Sequence, residues 1–442
     1  MKRILNVETF KYIGEKVKVC GWVQTVRSHG KIVFLDLRDI SGLLQVVVSP
    51  GVGSLAKLAK ELRPEWVIEV EGTINKRPKG MENPKIETGA VELTVENLKV
   101  LSKAKALPFA IFEIGEKEPT LEKRMNWRWL DLRRPEKQLI FKVWTVMEQA
   151  FRKYWINHGY IQIHSPKLMS VPSESGAELF EVIYFDRKAY LAQSPQFYKQ
   201  MAMAAGFEKV FEIGPVFRAN PSFTARHDTE FTSYDIEISF IDSHQDVIRA
   251  EEEMLVEVLT TVKEKYGKEI EKFYRRKLVI PKTPFPQFTM EEAKKILKKL
   301  RVPSEREDLS PEEERKLSEF VLKKEGHEFV FVTEYPIEVR PFYHMRLETN
   351  PKLTKSFDLL WNGLEITTGA QREHRYEILV KQAKEKGLKI ESIKYYLNFF
   401  KYGCPPHGGF GLGPTRMLMK IFNIGNVREV TYLYRGVKRL IP

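Results

Sequence analysis

The sequence predicts an α+β protein: a small N-terminal β-barrel, then a larger domain whose mostly antiparallel sheet is flanked by helices. Three features of its 442 residues predict this. Five short runs rich in Val and Ile fill the first hundred residues and are divided by turn signals. Apolar side chains recur at helical spacing from Glu136 to about His158. Beyond Val210 the apolar runs come in hairpin pairs and do not alternate with helices.

The five runs are Val17–Val23, Ile32–Leu37, Leu43–Val48, Trp66–Gly72 and Val91–Val100, with turns such as Ser28-His29-Gly30 and Asp39-Ile40-Ser41-Gly42 between them. Ser54–Leu62 reads as a short helix between the third and fourth strands. Five strands with a helix after the third fit a Greek-key barrel of the OB type. A β-sandwich fits the strand count nearly as well. Side-chain alternation places Leu35 and Leu37 inward and Phe34, Asp36 and Arg38 outward. Gln45 faces away from Leu44 and Val46, and Arg27 lies just before the Gly30 turn. A ring, an amide and a fork-shaped cation on one barrel face suit unstacked bases. The competing reading has Phe34 covered by a loop and Gln45 merely on the surface.

Residues 104–136 are charged, aperiodic and punctuated by Leu107-Pro108-Phe109 and Arg133-Arg134-Pro135, which predicts a hinge between a barrel domain (1–103) and a second domain (137–442). The helix that follows carries Ile140, Val143, Met147 and Phe151 on one stripe. The runs Val210–Ile238 and Phe329–Thr368 read as hairpins. Thr289–Glu292 is a capping box ahead of a helix near Ala293–Leu300, within a Lys/Glu-rich segment (281–326) that reads as a surface insertion.

There are 72 Lys and Arg against 59 Asp and Glu, a net charge of +13. This suits either a Lys/Glu-rich solvated surface or a polyanionic partner such as nucleic acid. No apolar run reaches the roughly 18 residues of a membrane span, so no membrane association is expected. Two distant cysteines, Cys20 and Cys404, point to a reducing cytoplasm and to neither a zinc site nor a disulfide scaffold.

Four segments carry the chemistry. They are Gly159-Tyr160 leading to Pro166, Gln193-Ser194-Pro195-Gln196 ahead of Lys199, Gly214-Pro215-Val216-Phe217-Arg218-Ala219 running to Glu230-Phe231, and His407-Gly408-Gly409-Phe410-Gly411-Leu412-Gly413 followed by Arg416. A strand ending in Arg, plus a glycine-rich strand feeding a helix that carries Arg, is not a Gly-Lys-Ser/Thr phosphate loop. In order and spacing these segments resemble the three signature motifs of class II aminoacyl-tRNA synthetases. With the barrel and Arg128-Trp129-Leu130-Asp131-Leu132-Arg133, the chain is most similar to the short, archaeal-type aspartyl-tRNA synthetases. Taken singly, Arg218 reads equally as a structural ion pair, Phe231 as a core ring and Gly408–Gly413 as a tight turn.

The resemblance implies a role for each matching position. Arg218 grips the α-phosphate of ATP and the reacting carboxylate. Arg416 lies against the adenine and meets the γ-phosphate, with Phe231 on the other side of the base. Arg226 and His227 belong to the loop that touches ATP and the tRNA end. Asp358 and Glu365 hold Mg²⁺ on the phosphates, and Pro166 sits at a homodimer interface. Arg27, Phe34 and Gln45 read the anticodon. Adenylate formation joins two anions, so two arginines and a metal-bearing carboxylate pair meet its first requirement, charge cancellation.

For the amino acid, the resemblance assigns Arg372 to the β-carboxylate, Lys199 as its helper, Asp235 to orient that lysine, Gln196 to a substrate contact and Glu174 to a mobile loop near the α-amino group. Two cations suit L-aspartate; a neutral amide would leave buried positive charge uncompensated at roughly 3–5 kcal/mol. Asparaginyl enzymes lack the lysine and carry Glu at the place of Asp235. The expected reaction is therefore ligation of aspartate to tRNA(Asp), with tRNA(Asn) as a second acceptor of a relaxed enzyme. Rivals are an asparaginyl-tRNA synthetase, a tRNA-independent asparagine synthetase and a non-catalytic tRNA-binding paralogue. The sequence departs from the family pattern at Asn220 and Thr415, where acidic residues are usual, at Ser175, and at Leu433-Tyr434-Arg435-Gly436 in place of Phe-Pro-Arg-Asp.

Overall fold

The computed structural model divides into two compact units, residues 1–119 and 120–442. It describes all residues except 51–52, 113–117, 172–178, 222–223 and 305–306. The division falls inside the segment expected as a hinge.

In the first unit, β1 (Lys16–His29), β2 (Ile32–Asp39), β3 (Gly42–Val48), β4 (Val67–Lys76) and β5 (Val91–Ser102) close a barrel in the order β1-β2-β3-β5-β4, with α1 (Ser54–Glu61) after β3. Closure comes from β1 pairing with β4 while β3 runs parallel to β5, which excludes the sandwich. Alternation holds: Val33, Leu35, Leu37, Leu44 and Val46 fill the interior.

The second unit opens with the short helices α2 (Leu121–Asn126) and α3 (Arg128–Asp131), then the long α4 (Pro135–Asn157). Strands β6 (Ile161–Gln162), β7 (Leu168–Met169), β8 (Glu181–Tyr184) and β9 (Arg187–Leu191) lead to α5 (Gln196–Ala204). The hairpin β10 (Lys209–Phe217) and β11 (Glu230–Ser239) precedes α6 (His244–Tyr274). Then come β12 (Gln287–Thr289), α7 (Met290–Lys299), α8 (Pro311–Glu325), β13 (Phe329–Thr333), β14 (Ser356–Trp361) and β15 (Glu365–Arg372). After α9 (Tyr376–Glu385) and α10 (Lys394–Leu397), β16 (His407–Leu412) enters α11 (Pro414–Phe422).

Eight strands form the main sheet in the order β12-β13-β14-β15-β16-β11-β10-β6, antiparallel except at its two edges. One face packs on α4, α6 and α11 through Phe151, Trp155, Tyr234, Ile236, Leu255 and Phe410. The segment expected as a surface insertion does more than that. It supplies the edge strand β12, and α7 and α8 bury Leu297, Leu317 and Val321 against Val330, Val332 and Leu360. The helix α7 begins where the sequence says, at the capping box of Thr289 and Glu292, and Ser310 and Glu313 form a second one ahead of α8. Among the described residues no helix is long and apolar enough to cross a membrane.

Candidate active site

Cross-strand register assembles the site on the sheet face away from the long helices. Asp358, Thr368, Gly411 and Asp235 lie in one row across β14, β15, β16 and β11. Phe231, Ser233, Asp235 and Glu237 share a face of β11, with Tyr234 and Ile236 on the core side. The face floors a cavity of about 550 Å³ whose lining includes Gln196, Arg218, Asn220, Arg226, His227, Phe231, Asp235, Glu365, Arg372 and Arg416. The structure thus brings together residues from five separate stretches of the chain. Glu174 lies outside the described residues.

At the inner end, ionised groups interlock. Lys199 is fully buried and its Nζ donates to Asp235 Oδ1 (2.9 Å), Ile236 O (3.2 Å) and Phe410 O (3.2 Å). Ser233 Oγ donates to the other oxygen of Asp235 at 2.5 Å. Arg372 donates through Nε to Glu237 Oε1 (3.0 Å) and through Nη2 to Gly409 O (2.9 Å), with His344 Nε2 2.9 Å from Nη1. Glu237 also faces Lys199 at 3.4 Å. Burial would raise its pKa, but Arg372 and Lys199 outweigh this and hold it below the ordinary carboxylate range.

The two expected cations are engaged differently within the protein. Lys199 is not a surface lysine, but all three of its N–H groups are used within the protein. Among the described residues, Arg372 is the inner cation with donors to spare. Sequence reasoning passed over Glu237 as a functional residue, although its parity with Asp235 carried the signal; His344 had no such signal.

Gly409 makes this packing possible. A Cβ there would lie 2.1 Å from Ile236 O and 2.5 Å from Glu237 Oε2. Gly408–Leu412 is an extended central strand and not a tight turn.

At the outer end, Arg218 stands over the ring of Phe231, 5.4 Å from its centroid. Among the described residues its guanidinium has no carboxylate partner, so the ion-pair alternative does not hold. Phe231 lines the cavity and is not a core ring. Arg416 donates from Nη1 to the backbone oxygen (2.8 Å) and side chain (3.0 Å) of Glu365. Arg226 reaches Glu314 of α8 at 2.6 Å, which ties the loop after β10 to the segment between β12 and β13. Burial, with Arg416 and Arg226 nearby, pushes the His227 imidazole down to about 4, so its ring is neutral at pH 7.

The carboxylate pair fits a divalent cation. Asp358 takes Arg340 on one oxygen (2.6 Å), and its Oδ1 is buried without a partner among the described residues. Burial raises the Asp358 carboxyl, Glu365 adds to that, and Arg340 opposes it. Glu365 is held down by Arg416 and Arg340 against the effect of burial. A hard, oxygen-preferring cation would supply charge that such a carboxylate pair favours. Among the described residues no group of three or more His, Cys, Asp or Glu side chains is gathered for a metal.

The departures at the C-terminus compensate each other. A Cβ at Gly436 would sit 2.3 Å from the Tyr434 hydroxyl, which donates to His227 O at 3.1 Å. A tyrosine at 434 therefore requires the glycine at 436, and together they brace the His227 loop.

On the barrel, Arg27 stands directly across from Phe34, and Asp36 from Gln45, on one outward face. Arg27 pairs with Asp36 at 3.0 Å, and Gln45 Nε2 donates to Glu92 at 2.8 Å. Arg38 differs from the expectation. It points outward but is covered, with both terminal nitrogens 2.8 Å from Glu65 and its guanidinium 4.4 Å from the Phe112 ring centroid.

Residues 120–435 match the family of class II tRNA synthetases (D, K and N), and residues 17–101 match the OB-fold nucleic-acid-binding domain of the anticodon type. The chain belongs to the class II tRNA synthetases. Among curated relatives it is 43% identical to the aspartate–tRNA(Asp) ligase of Pyrococcus abyssi, over 97% of both chains. It is 45% identical to the aspartate–tRNA(Asp/Asn) ligase of Methanopyrus kandleri, over 97% of this chain and 96% of that one. Among solved structures, asparaginyl-tRNA synthetase from Pyrococcus horikoshii with asparaginyl-adenylate superposes with a TM-score of 0.89 at 32% identity, covering 98% and 97% of the two chains. Aspartyl-tRNA synthetase from Entamoeba histolytica gives 0.87 at 29%, covering 98% and 91%. Within this class II synthetase the cavity has the two-ended charge pattern that amino-acid activation requires: an inner subsite around Arg372 and an outer one between Arg218, Phe231 and Arg416.

Proposed function

We infer that this synthetase is an aspartate–tRNA ligase. The observation that carries the reading is Arg372, which among the described residues has uncommitted N–H groups and lies at the inner end of a cavity that Arg218 and Arg416 enclose at the other. An aspartate held by its β-carboxylate at Arg372 extends its α-carboxylate toward Arg218. An oxygen of that carboxylate attacks the α-phosphorus of ATP. The bond to the bridging oxygen breaks and pyrophosphate leaves. The 3′-hydroxyl of the terminal ribose of tRNA then attacks the carbonyl carbon of the mixed anhydride and AMP departs.

Arg218 and Arg416 offset the phosphate charge, Phe231 stacks on the adenine, and Gln196 and Asp235 border the amino-acid subsite. Neutral His227 offers hydrogen bonding without adding charge. Asp358 and Glu365 would hold Mg²⁺, which when bound neutralises phosphate oxygens. Arg27, Phe34 and Gln45 form the anticodon-reading face. We assign the enzyme to a cytoplasmic homodimer with Pro166 at the interface.

Similarity to relatives named for both tRNA(Asp) and tRNA(Asn) favours a second reading, an enzyme that charges both. Charging of purified tRNA(Asp) and tRNA(Asn) transcripts with aspartate, alongside pyrophosphate exchange with aspartate or asparagine, tests all of this. Exchange driven by asparagine alone would make it an asparaginyl enzyme. Binding of tRNA without exchange would make it a non-catalytic paralogue.

A further inference from the structure

An arginine side chain has five N–H donors and no acceptor. In Arg372 three are engaged, by Glu237, Gly409 O and His344 Nε2. The engagement is one per nitrogen, so among the described residues one N–H remains on each terminal nitrogen. Two donors, one on each terminal nitrogen, are what a carboxylate takes up in a two-point contact.

His344 is decisive in this arrangement. It is 2% exposed, lines the cavity, and its backbone bridges to that of Arg372. Because a guanidinium only donates, Nε2 accepts and the ring proton sits on Nδ1, which has no partner among the described residues. Burial and the adjacent Arg372 hold the imidazole far below its ordinary pKa, so the ring stays neutral and able to accept.

We propose that His344 is the specificity-determining positioning residue of the side-chain subsite: its Nε2 fixes the Arg372 fork so that the two remaining N–H groups meet a carboxylate and not an amide. An amide ligand would set its own N–H₂ against one of those donors. A fork anchored at three points cannot turn to relieve that clash. The inference rests on the aspartate reading given above.

The test separates the two ring nitrogens. The amide oxygen of His344→Gln reaches the place of Nε2, whereas His344→Asn reaches only that of Nδ1, and His344→Leu reaches neither. In pyrophosphate exchange, the Asn and Leu variants are expected to raise KM for aspartate roughly 10–100-fold, the worth of one hydrogen bond to a charged group. The aspartate-to-asparagine ratio should narrow while KM for ATP stays within about threefold. The Gln variant should recover most of the aspartate KM. Wild-type behaviour of His344→Asn, a His344→Gln variant as impaired as His344→Leu, or a parallel rise in both KM values would overturn the proposal, the last by marking a merely structural role. Absence of aspartate-driven exchange in the unaltered protein would instead overturn the aspartate reading itself.

Discussion

Lys199 has no uncommitted hydrogen, and that changes what its replacement does. Lys199→Leu leaves Asp235 and Glu237 buried without their shared cation, at a cost of about 3–5 kcal/mol. The expected outcome is a lower denaturation midpoint together with a loss of aspartate selectivity, both larger than any change in ATP binding. An unaltered midpoint, or unaltered selectivity, would contradict it. Gln45 is half-buried and donates to Glu92 on the barrel's outer face. Gln45→Ala should therefore reduce tRNA charging roughly tenfold, the loss of one or two base-edge hydrogen bonds, and leave aspartate-dependent pyrophosphate exchange unchanged. Equal losses in the two assays would place Gln45 outside tRNA recognition.

Among the elements, β11 and β16 do most to build the site, because one strand's alternation presents three cavity residues, Phe231, Ser233 and Asp235, and the other's glycines allow close approach. On the opposite face of the sheet, α6 carries Glu251, fully buried beside Thr367. Burial pushes this carboxyl up to about 8. Its folded pKa lies above its unfolded value, so folding takes up a proton, and stability falls as pH rises from about 4.5 to about 8. Glu251→Gln removes that dependence. Urea denaturation should show the variant gaining on the wild type by about 2–3 kcal/mol between pH 5 and pH 8. A constant difference across that range would mean that Glu251 is ionised in the folded protein.

For the whole molecule, the +13 charge becomes meaningful once an OB-fold unit and a synthetase unit share the chain. Attraction to a polyanion through released counterions weakens linearly in log salt. Between 50 and 200 mM salt, tRNA affinity should fall by about tenfold or more, and aspartate-dependent exchange by less than about threefold. A parallel loss would show that the excess charge serves folding or the small substrates.

Much of this protein was legible in its sequence because the deciding signals are local. Alternation at Phe34–Asp39 and the capping box at Thr289 depend on neighbours along the chain, and the resemblance of whole motifs implied the roles of Arg218, Glu365 and Arg416. Tertiary structure alone decided that the first five strands close into a barrel, that Arg38 is covered, and that 281–326 extends the main sheet. It alone decided that Lys199 is consumed by Asp235 and two carbonyls, and that His344 meets Arg372. The physical reason is that a donor's availability depends on every acceptor packed around it, and for Lys199 one of those acceptors lies 211 residues away along the chain.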